Sequence, residues 1–486
     1  MTELKILFAA SEVTPFAKTG GLADVAGSLP DALALLGHRV ITVMPYYRSV
    51  REGSFNLKLY DKSLSVPFKG CHLDAGIHTV GLKRNTQAYF IERDEFFDRS
   101  GLYGTPRGDY FDNPERFIFF SRSVIELTKL IGFQPDIIHC HDWQTSLIPV
   151  YLKSLYADDP VLTRSKSVFT IHNLAYQGVF PAEMMRVSEL PLELFVMKGL
   201  EYYGKMNFMK GGIVFSDAIT TVSEKYAQEI QTPEFGYGLE GVLRERRAQV
   251  HGILNGVDYQ SWNPKTDPHI AANFDSRNLS GKKACKQDLA KIYGLKGTSG
   301  VPIIGIVSRL ADQKGFDILA EAMDELLKLD LHLVLLGTGD AKYEKQFDAL
   351  GKKHAGRLGV KIAFDNVLAH KIEAGSDMFL MPSKYEPCGL NQMYSLKYGT
   401  IPIVRATGGL DDTIQKFDSR TGEGNGFKFT DYSSNALLAE VNRALELYGD
   451  SSNWLTLVRN AMRMDFSWKR SALKYEGIYR QLSDSL

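Results

Sequence analysis

The chain has 486 residues, too many for one ordinary domain; at about 150 residues per domain it allows roughly three, or two large ones. Lys and Arg total 57 and Asp and Glu total 57, so the net charge is zero, which argues against a protein that coats nucleic acid or an acidic membrane surface. Hydrophobic residues make up 44% and charged residues 23%, which excludes global disorder.

Residues 4–10, apolar without a break over 6–10, read as a buried strand. The run is too short for a signal-peptide core, and the acidic Glu12 follows at once. A loop over 11–21 leads to a helix over 22–36, kinked by Pro30 and ended by Gly37. Further strands are expected at 40–44, 136–140, 168–171, 219–222 and 252–254, with helical periodicity between them, as over 116–131. A second cycle follows Asn255, with the join near 256–261. It has a strand at 303–307, a helix at 316–328, a strand at 331–336, a turn at 337–340 and a helix at 343–353. Strands at 360–364, 378–381 and 401–404 follow. Residues 263–300 are rich in polar side chains and read as an irregular lead-in. The last helix, 468–482, carries Trp468, Leu473, Tyr475, Ile478, Tyr479 and Leu482, and periodicity does not tell where it packs. Strands alternating with helices imply parallel sheets covered on both faces, and two such series imply an α/β chain of two doubly wound domains.

No stretch approaches the ~20 apolar residues of a membrane helix. Cys71, Cys140, Cys285 and Cys388 form no CxxC pair, which argues against a disulfide framework and a thiolate zinc site. The chain is expected to be soluble and cytoplasmic.

Open parallel sheets bind ligands at the carboxyl ends of their strands, so the loops there come first. Lys18-Thr19-Gly20-Gly21 lets backbone N–H groups approach an anion at a helix N-terminus, with Lys18 adding full charge. A flexible turn with a solvated lysine is the competing reading. Arg309 and Lys314 place two cations on a loop that enters a helix and suit a diphosphate, against the alternative of a surface pair. Pro387 and Gly389 bend the loop around Glu386, which becomes a rigidly held acceptor for sugar hydroxyls or, alternatively, a helix-capping acid. Cys388 reads as a small buried residue and not a nucleophile. His139 and His141 suggest a metal, but on a strand-to-loop segment they are expected to face opposite ways, and the motif offers no third ligand. His172-Asn173, followed by Tyr176 and Gln177, fits hydroxyl recognition, although a structural histidine is the more common case.

At these residues the chain strongly resembles bacterial glycogen synthase and plant starch synthase. The ordered set is Lys18-Thr19-Gly20-Gly21, His141-Asp142-Trp143, His172 to Gly178, and Asn255-Gly256-Val257-Asp258. It continues with Ser308-Arg309-Leu310, Gln313-Lys314-Gly315, Glu386 to Leu390 and Thr407-Gly408-Gly409-Leu410, and covers nearly the whole chain. The resemblance implies a GT-B architecture of two Rossmann-like domains facing a deep cleft. The first would span 1–254, on the acceptor side, completed by a final helix at 466–486. The second, the nucleotide-sugar domain, would span 255–465. It also implies a glycosyltransferase that moves glucose from ADP-glucose to the non-reducing end of an α-1,4-glucan with retention, elongating glycogen and releasing ADP.

Carried over residue by residue, Arg309 and Lys314 would bind the diphosphate, joined by backbone groups at Gly20, Gly21, Leu390 and Asn391 once the cleft closes. Lys18 and Asp24 would sit beside the nucleotide-sugar. His172 and Asn255 would hold the glucose, and Glu386, Cys388 and Gly389 would contact its hydroxyls. Tyr103, Asp142 and Asn173 match the glucosyl and acceptor site, and the adenine would lie near Phe364, where some relatives carry Tyr. Asn391 replaces a Thr of some relatives, which leaves its side-chain role open. His172, Arg309, Lys314, Glu386 and Asp142 are thus the catalytic candidates. No resident cofactor, metal, nucleic acid or membrane partner is expected, and the sequence carries no signal of oligomeric state. The competing functions are a related retaining transferase that uses UDP-glucose or makes sucrose, and a non-catalytic glucan-binding scaffold.

Overall fold

Lys5–Ala9 forms a strand because four successive apolar side chains are buried on both faces of a sheet, where unbroken Ile, Leu and Phe are favoured over alternation. The structure is a computed structural model and describes residues 2–84 and 86–484; Met1, Asn85, Ser485 and Leu486, and with them the outer ends expected for the first domain and final helix, lie outside the described residues. The chain divides into two units. One gathers Met1–Val222, Ala227–Gly256 and Trp468–Leu486; the other gathers Ser223–Tyr226 and Val257–Ser467. The divisions after 256 and after 467 lie two residues beyond those expected at 254 and 465.

The sheet of the first unit runs Val250–Gly252, Ala218–Thr221, Lys166–Ile171, Ile137–His141, Lys5–Ala9, Arg39–Pro45 and Gln87–Glu92, all parallel. The strand expected at 252–254 thus lies two residues earlier. The all-parallel expectation is also corrected: Cys71–Gly81 adds antiparallel to Gln87–Glu92, and Lys58–Leu59 and Leu64–Phe68 pair antiparallel with it. Lys69 and Gly70, both left-handed (φ 54 and 75), join Leu64–Phe68 to Cys71–Gly81. Two such residues suit a tight hairpin whose twist matches its strands. On one face of the sheet, Ile6, Phe8, Val40, Ile137 and Val168 pack against two helices: Gly21–Leu35, through Val25, Leu29 and Leu33, and Trp468–Ser483, through Trp468, Ala472, Tyr475 and Tyr479. Gly21–Leu35 runs on through Pro30.

The second unit holds an all-parallel sheet in the spatial order Leu358–Ile362, His332–Gly337, Ile303–Val307, Met378–Met381, Ile401–Arg405, Phe427–Phe429. In chain order this is 3-2-1-4-5-6, the dinucleotide-binding arrangement. Successive residues alternate between its two cores. Ile304, Ile306, Leu333 and Leu335 join one; Ile303, Val334, Leu336 and Phe379 join the other, with Leu289, Leu368 and Ile372 from helices. Residues 263–300 are not irregular throughout: Ser280–Tyr293 is a helix that buries Gly281, Cys285, Leu289 and Ala290. Its polar composition reflects a single buried stripe. Among the described residues no helix is long and apolar enough to cross a membrane.

Candidate active site

In the first sheet, Lys5–Ala9 has Arg39–Pro45 on one side and Ile137–His141 on the other. The chain order reverses there, so the loops leaving these carboxyl ends define a switch point. Glu12, only 4% exposed, organises the first loop. Its Oε1 accepts hydrogens from the Thr19 hydroxyl at 2.6 Å and the Tyr103 hydroxyl at 2.7 Å. Its Oε2 accepts from the Thr19 and Gly20 N–H groups, the latter at 3.3 Å. Ser11 Oγ also meets the Tyr103 hydroxyl at 2.7 Å. Burial and the Glu12 carboxylate push the Tyr103 phenol well above its ordinary value. Sequence reasoning passed over Glu12 as a site residue; its signal was an acid three residues past an apolar strand, in the loop where ligands collect.

Gly20 is extended (φ −151), and a Cβ built at Gly20 or Gly21 meets no atom within 4 Å. Neither backbone conformation nor internal packing therefore demands glycine at these two positions. Lys18 Nζ pairs with Asp24 at 2.7 Å in the same segment.

Asp142 follows the strand Ile137–His141 in the left-handed region (φ 55). Its Oδ1 accepts the His172 N–H at 2.8 Å. Burial pushes this carboxyl up to about 7, and the backbone N–H groups of His172 and Asn173 oppose the rise. Burial pushes His172 down to about 3, so its imidazole is neutral. Its Nε2 lies 3.0 Å from His141 Nδ1. His139 and His141 do not face opposite ways: their ring centroids are 4.2 Å apart. Residues i and i+2 of a strand share a face, and both rings belong to the strand itself. Asn173 Oδ1 closes a local turn by accepting the Ala175 N–H at 3.1 Å. Asn255 is buried, and its Oδ1 has no hydrogen-bond partner among the described residues.

The second sheet has its switch point between Ile303–Val307 and Met378–Met381, and Lys314 and Glu386 leave the two neighbouring strands to meet there. Lys314 Nζ lies 2.5 Å from Glu386 Oε2, which also accepts the Ser383 hydroxyl at 3.1 Å. Glu386 is thus an ion-pair partner and not a helix cap. Arg309 is exposed, its Nη2 3.1 Å from Gln313 Oε1. The two loops are laced together by Lys384 N–H to Gln313 O at 2.9 Å and Gln313 Nε2 to Tyr385 O at 3.4 Å.

Gly389 supplies the left-handed bend (φ 71) before the helix Asn391–Lys397, which Leu390 caps. The buried Gln392, missed in the sequence, braces this bend by donating to the Cys388 and Gly389 carbonyls at 3.0 and 3.1 Å. Cys388 itself is buried. Asn391 Nδ2 donates to Val307 O at 2.7 Å and so ties the helix to the end of the strand. Phe364, after Leu358–Ile362, exposes 90% of its surface.

The structure therefore gathers Lys18, Gly20, Gly21, Asp24, Tyr103, Asp142, His172, Asn173 and Asn255 in the first unit. Arg309, Lys314, Phe364, Glu386, Cys388, Gly389, Leu390 and Asn391 belong to the second. Among the described residues no cluster of three or more His, Cys, Asp or Glu side chains is arranged to hold a metal ion.

The starch synthase catalytic domain family matches residues 5–245, and the glycosyl transferases group 1 family matches residues 295–456. Glycogen synthase from Koribacter versatilis is 53% identical, over 98% of both chains. Glycogen synthase from Geotalea uraniireducens is 49% identical over 98% of both. The catalytic domain of starch synthase IV from Arabidopsis thaliana, solved bound to ADP and acarbose, superposes with a TM-score of 0.92 at 35% identity, covering 99% of this chain and 100% of that one. Sucrose-phosphate synthase from Thermosynechococcus elongatus shares the fold, with a TM-score of 0.63 at 17% identity over 100% of both chains. The chain belongs to the glycogen synthase and starch synthase family and is a glycosyltransferase of GT-B fold.

Proposed function

We propose that the protein transfers glucose from ADP-glucose to the non-reducing end of an α-1,4-glucan, with retention at the anomeric carbon, and so elongates glycogen. The observation that carries this reading is the meeting of Lys314 and Glu386 at the switch point of the second sheet, with Arg309 on the same loop as Lys314. A diphosphate needs concentrated positive charge, and a sugar needs an acceptor held in place; this loop pair supplies both. The starch synthase IV solved with ADP and acarbose supports an adenine nucleotide as the donor's leaving group, and the glycogen synthase relatives support a glucan acceptor.

In this reading Arg309 and Lys314 bind the diphosphate, joined by the N–H groups of Gly20, Gly21, Leu390 and Asn391. The open space beside Gly20 and Gly21 suits an anion that approaches the backbone closely. Lys18 and Asp24 flank the nucleotide-sugar, and Phe364 offers its exposed ring to adenine. Glu386 and the N–H groups of Cys388 and Gly389 meet the glucosyl hydroxyls. His172 and Asn255 hold the same sugar, and Tyr103, Asp142 and Asn173 line its acceptor side.

Departure of ADP builds negative charge on the diphosphate and positive charge on the sugar ring. Preorganised cations stabilise the first as it develops, and losing one such group raises the barrier by about 3–4 kcal/mol. The neutral His172 holds the sugar by hydrogen bonding. Retention is assigned to attack on the same face that ADP leaves, with the departing phosphate taking the acceptor hydroxyl's proton. Because Arg309 and Lys314 neutralise the diphosphate, turnover is expected to survive EDTA.

The test is to incubate the protein with maltooligosaccharide and either ADP-glucose or UDP-glucose, without metal, and to measure nucleotide release, chain length and product anomer. ADP release with α-linked lengthening is expected. Preference for UDP-glucose would replace the donor, and no release with either would leave a glucan-binding scaffold.

A further inference from the structure

Two buried imidazoles, His139 and His141, connect the final helix of the first unit to His172, and of the three rings only His172 has a role in the reaction proposed above. The Tyr479 hydroxyl lies 2.7 Å from His139 Nδ1, and His139 Nε2 lies 2.6 Å from Thr170 Oγ1. The His139 ring packs 4.2 Å from that of His141, whose Nδ1 reaches His172 Nε2 at 3.0 Å. His141 is fully buried, and its ring stacks on that of Phe8 with centroids 5.3 Å apart. Burial holds all three histidines well below their ordinary value, so each ring is neutral and carries a single N–H.

In the bond between His141 and His172 one nitrogen donates and the other accepts. If His172 Nε2 carried the hydrogen, His141 would carry its own on Nε2. That atom is buried and has no hydrogen-bond partner among the described residues. The arrangement would strand an N–H donor in the core. If instead His141 Nδ1–H donates, only a lone pair is left unmatched there. Orphaned buried N–H groups are rarer and cost more than under-used acceptors.

We infer that His141 donates through Nδ1 to His172 Nε2 and thereby fixes His172 as the Nδ1–H tautomer, which makes His141 a positioning residue for the sugar site. His172 retains 9% of its surface, and the ring edge left free of His141 presents a donor. A hydroxyl that meets this edge accepts from it, and the ring takes no proton from that hydroxyl. The consequence for the reaction rests on the proposed glucosyl transfer; the tautomer does not.

The test uses the full chain labelled with ¹⁵N-histidine. Long-range proton–nitrogen correlation spectra, with His172 identified from the signals lost in His172→Asn, read the tautomer without substrate. The expected spectrum has His172 protonated at Nδ1 and unprotonated at Nε2. The reverse assignment would overturn the inference. His141→Leu should release His172 into a mixture of tautomers and remove most turnover, with the loss mainly in kcat. His141→Asn, whose amide can return an N–H near the lost Nδ1, should restore the Nδ1–H form and part of the rate. An unchanged His172 spectrum in the Leu variant would also overturn it; should that variant fail to fold, the Asn variant and the wild-type spectrum decide. A wild-type protein without transferase activity but with the expected spectrum would refute the proposed function and leave the tautomer standing.

Discussion

Lys314 Nζ and Glu386 Oε2 lie 2.5 Å apart, joining loops that leave two adjacent strands of the second sheet. In the proposed reading, the pair sets the cation assigned to the diphosphate beside the carboxylate assigned to the sugar hydroxyls. Each therefore holds the other in place before either ligand arrives. Lys314→Ala should lower kcat by about 10²–10³, as expected for one preorganised charge at a developing anion. The chain should still fold but with a lowered Tm, because Glu386, whose side chain is only 7% exposed, loses its ion-pair partner. Steady-state kinetics beside a thermal melt check both halves, and near-normal turnover would remove Lys314 from its assigned role.

The strands that carry this pair were legible because they are buried on both faces and read as unbroken apolar runs: Ile303–Val307 and Met378–Met381 coincide with the expected spans. The antiparallel strands of 58–81 were not. Cys71–Gly81 leaves many of its residues exposed, and its hairpin turns on Lys69-Gly70, a weak turn signal beside Asn-Gly or Asp-Gly. The orientation of His139 and His141 was misjudged because the strand runs through His141 rather than ending before it. The cationic loops announced themselves through glycine and charge at strand ends. Glu12 did not, since its Tyr103 partner stands 91 residues away. Proximity of that kind is created by the fold, and an acid near a strand end marks a place without naming its distant partner.

Glu12 deserves its own variant because its two oxygens serve different donors. Glu12→Gln keeps one acceptor but turns an NH₂ toward donors that need an oxygen: the Thr19 and Gly20 N–H groups on one side, or the Thr19 and Tyr103 hydroxyls on the other. A buried donor left unsatisfied costs about 1–3 kcal/mol. The variant should fold with a lowered Tm and show a raised KM for ADP-glucose, since the Gly20 segment loses its anchor. An unchanged KM would separate Glu12 from the donor site.

Asp142 makes stability depend on pH in an unusual direction. Burial raises its folded carboxyl to about 7 from an ordinary 3.8. Between those values the native state holds a proton that the unfolded state has released. Its contribution is therefore full below the lower value and is lost as pH rises through the upper one. Asp142→Asn keeps an oxygen for the His172 N–H and cannot ionise. Melts from about pH 5 to about pH 8 should show the wild type losing stability relative to this variant as pH rises. A constant gap across that range would contradict the raised value.

Phe364 offers a test almost free of folding effects, because 90% of its surface is exposed. Aromatic stacking contributes about 0.5–1.5 kcal/mol, which corresponds to roughly a two- to tenfold change in affinity. Phe364→Ala should raise KM for ADP-glucose within that range and leave Tm unchanged, while Phe364→Tyr should retain the wild-type KM. Equal KM values in all three proteins would place the adenine elsewhere.

Two glycines separate packing from ligand approach. A Cβ at Gly409 would lie 2.0 Å from the Cys388 carbonyl oxygen and 2.6 Å from its Cα, both backbone atoms that cannot swing aside. The Gly409 N–H also donates to Glu386 O at 3.1 Å and Pro387 O at 3.2 Å. Gln392 Nε2 holds the same Cys388 carbonyl at 3.0 Å. Gly409→Ala must therefore displace the segment that carries Glu386 and the Cys388 and Gly389 N–H groups, at a cost of about 1–3 kcal/mol for overpacking. Both Tm and kcat should fall. At Gly20 the backbone is extended and a Cβ meets nothing within 4 Å. Gly20→Ala should leave Tm unchanged and still weaken turnover, because the added methyl stands where the diphosphate would approach. Wild-type activity in this variant, with an unchanged melt, would show that the open space at Gly20 is not used by the donor.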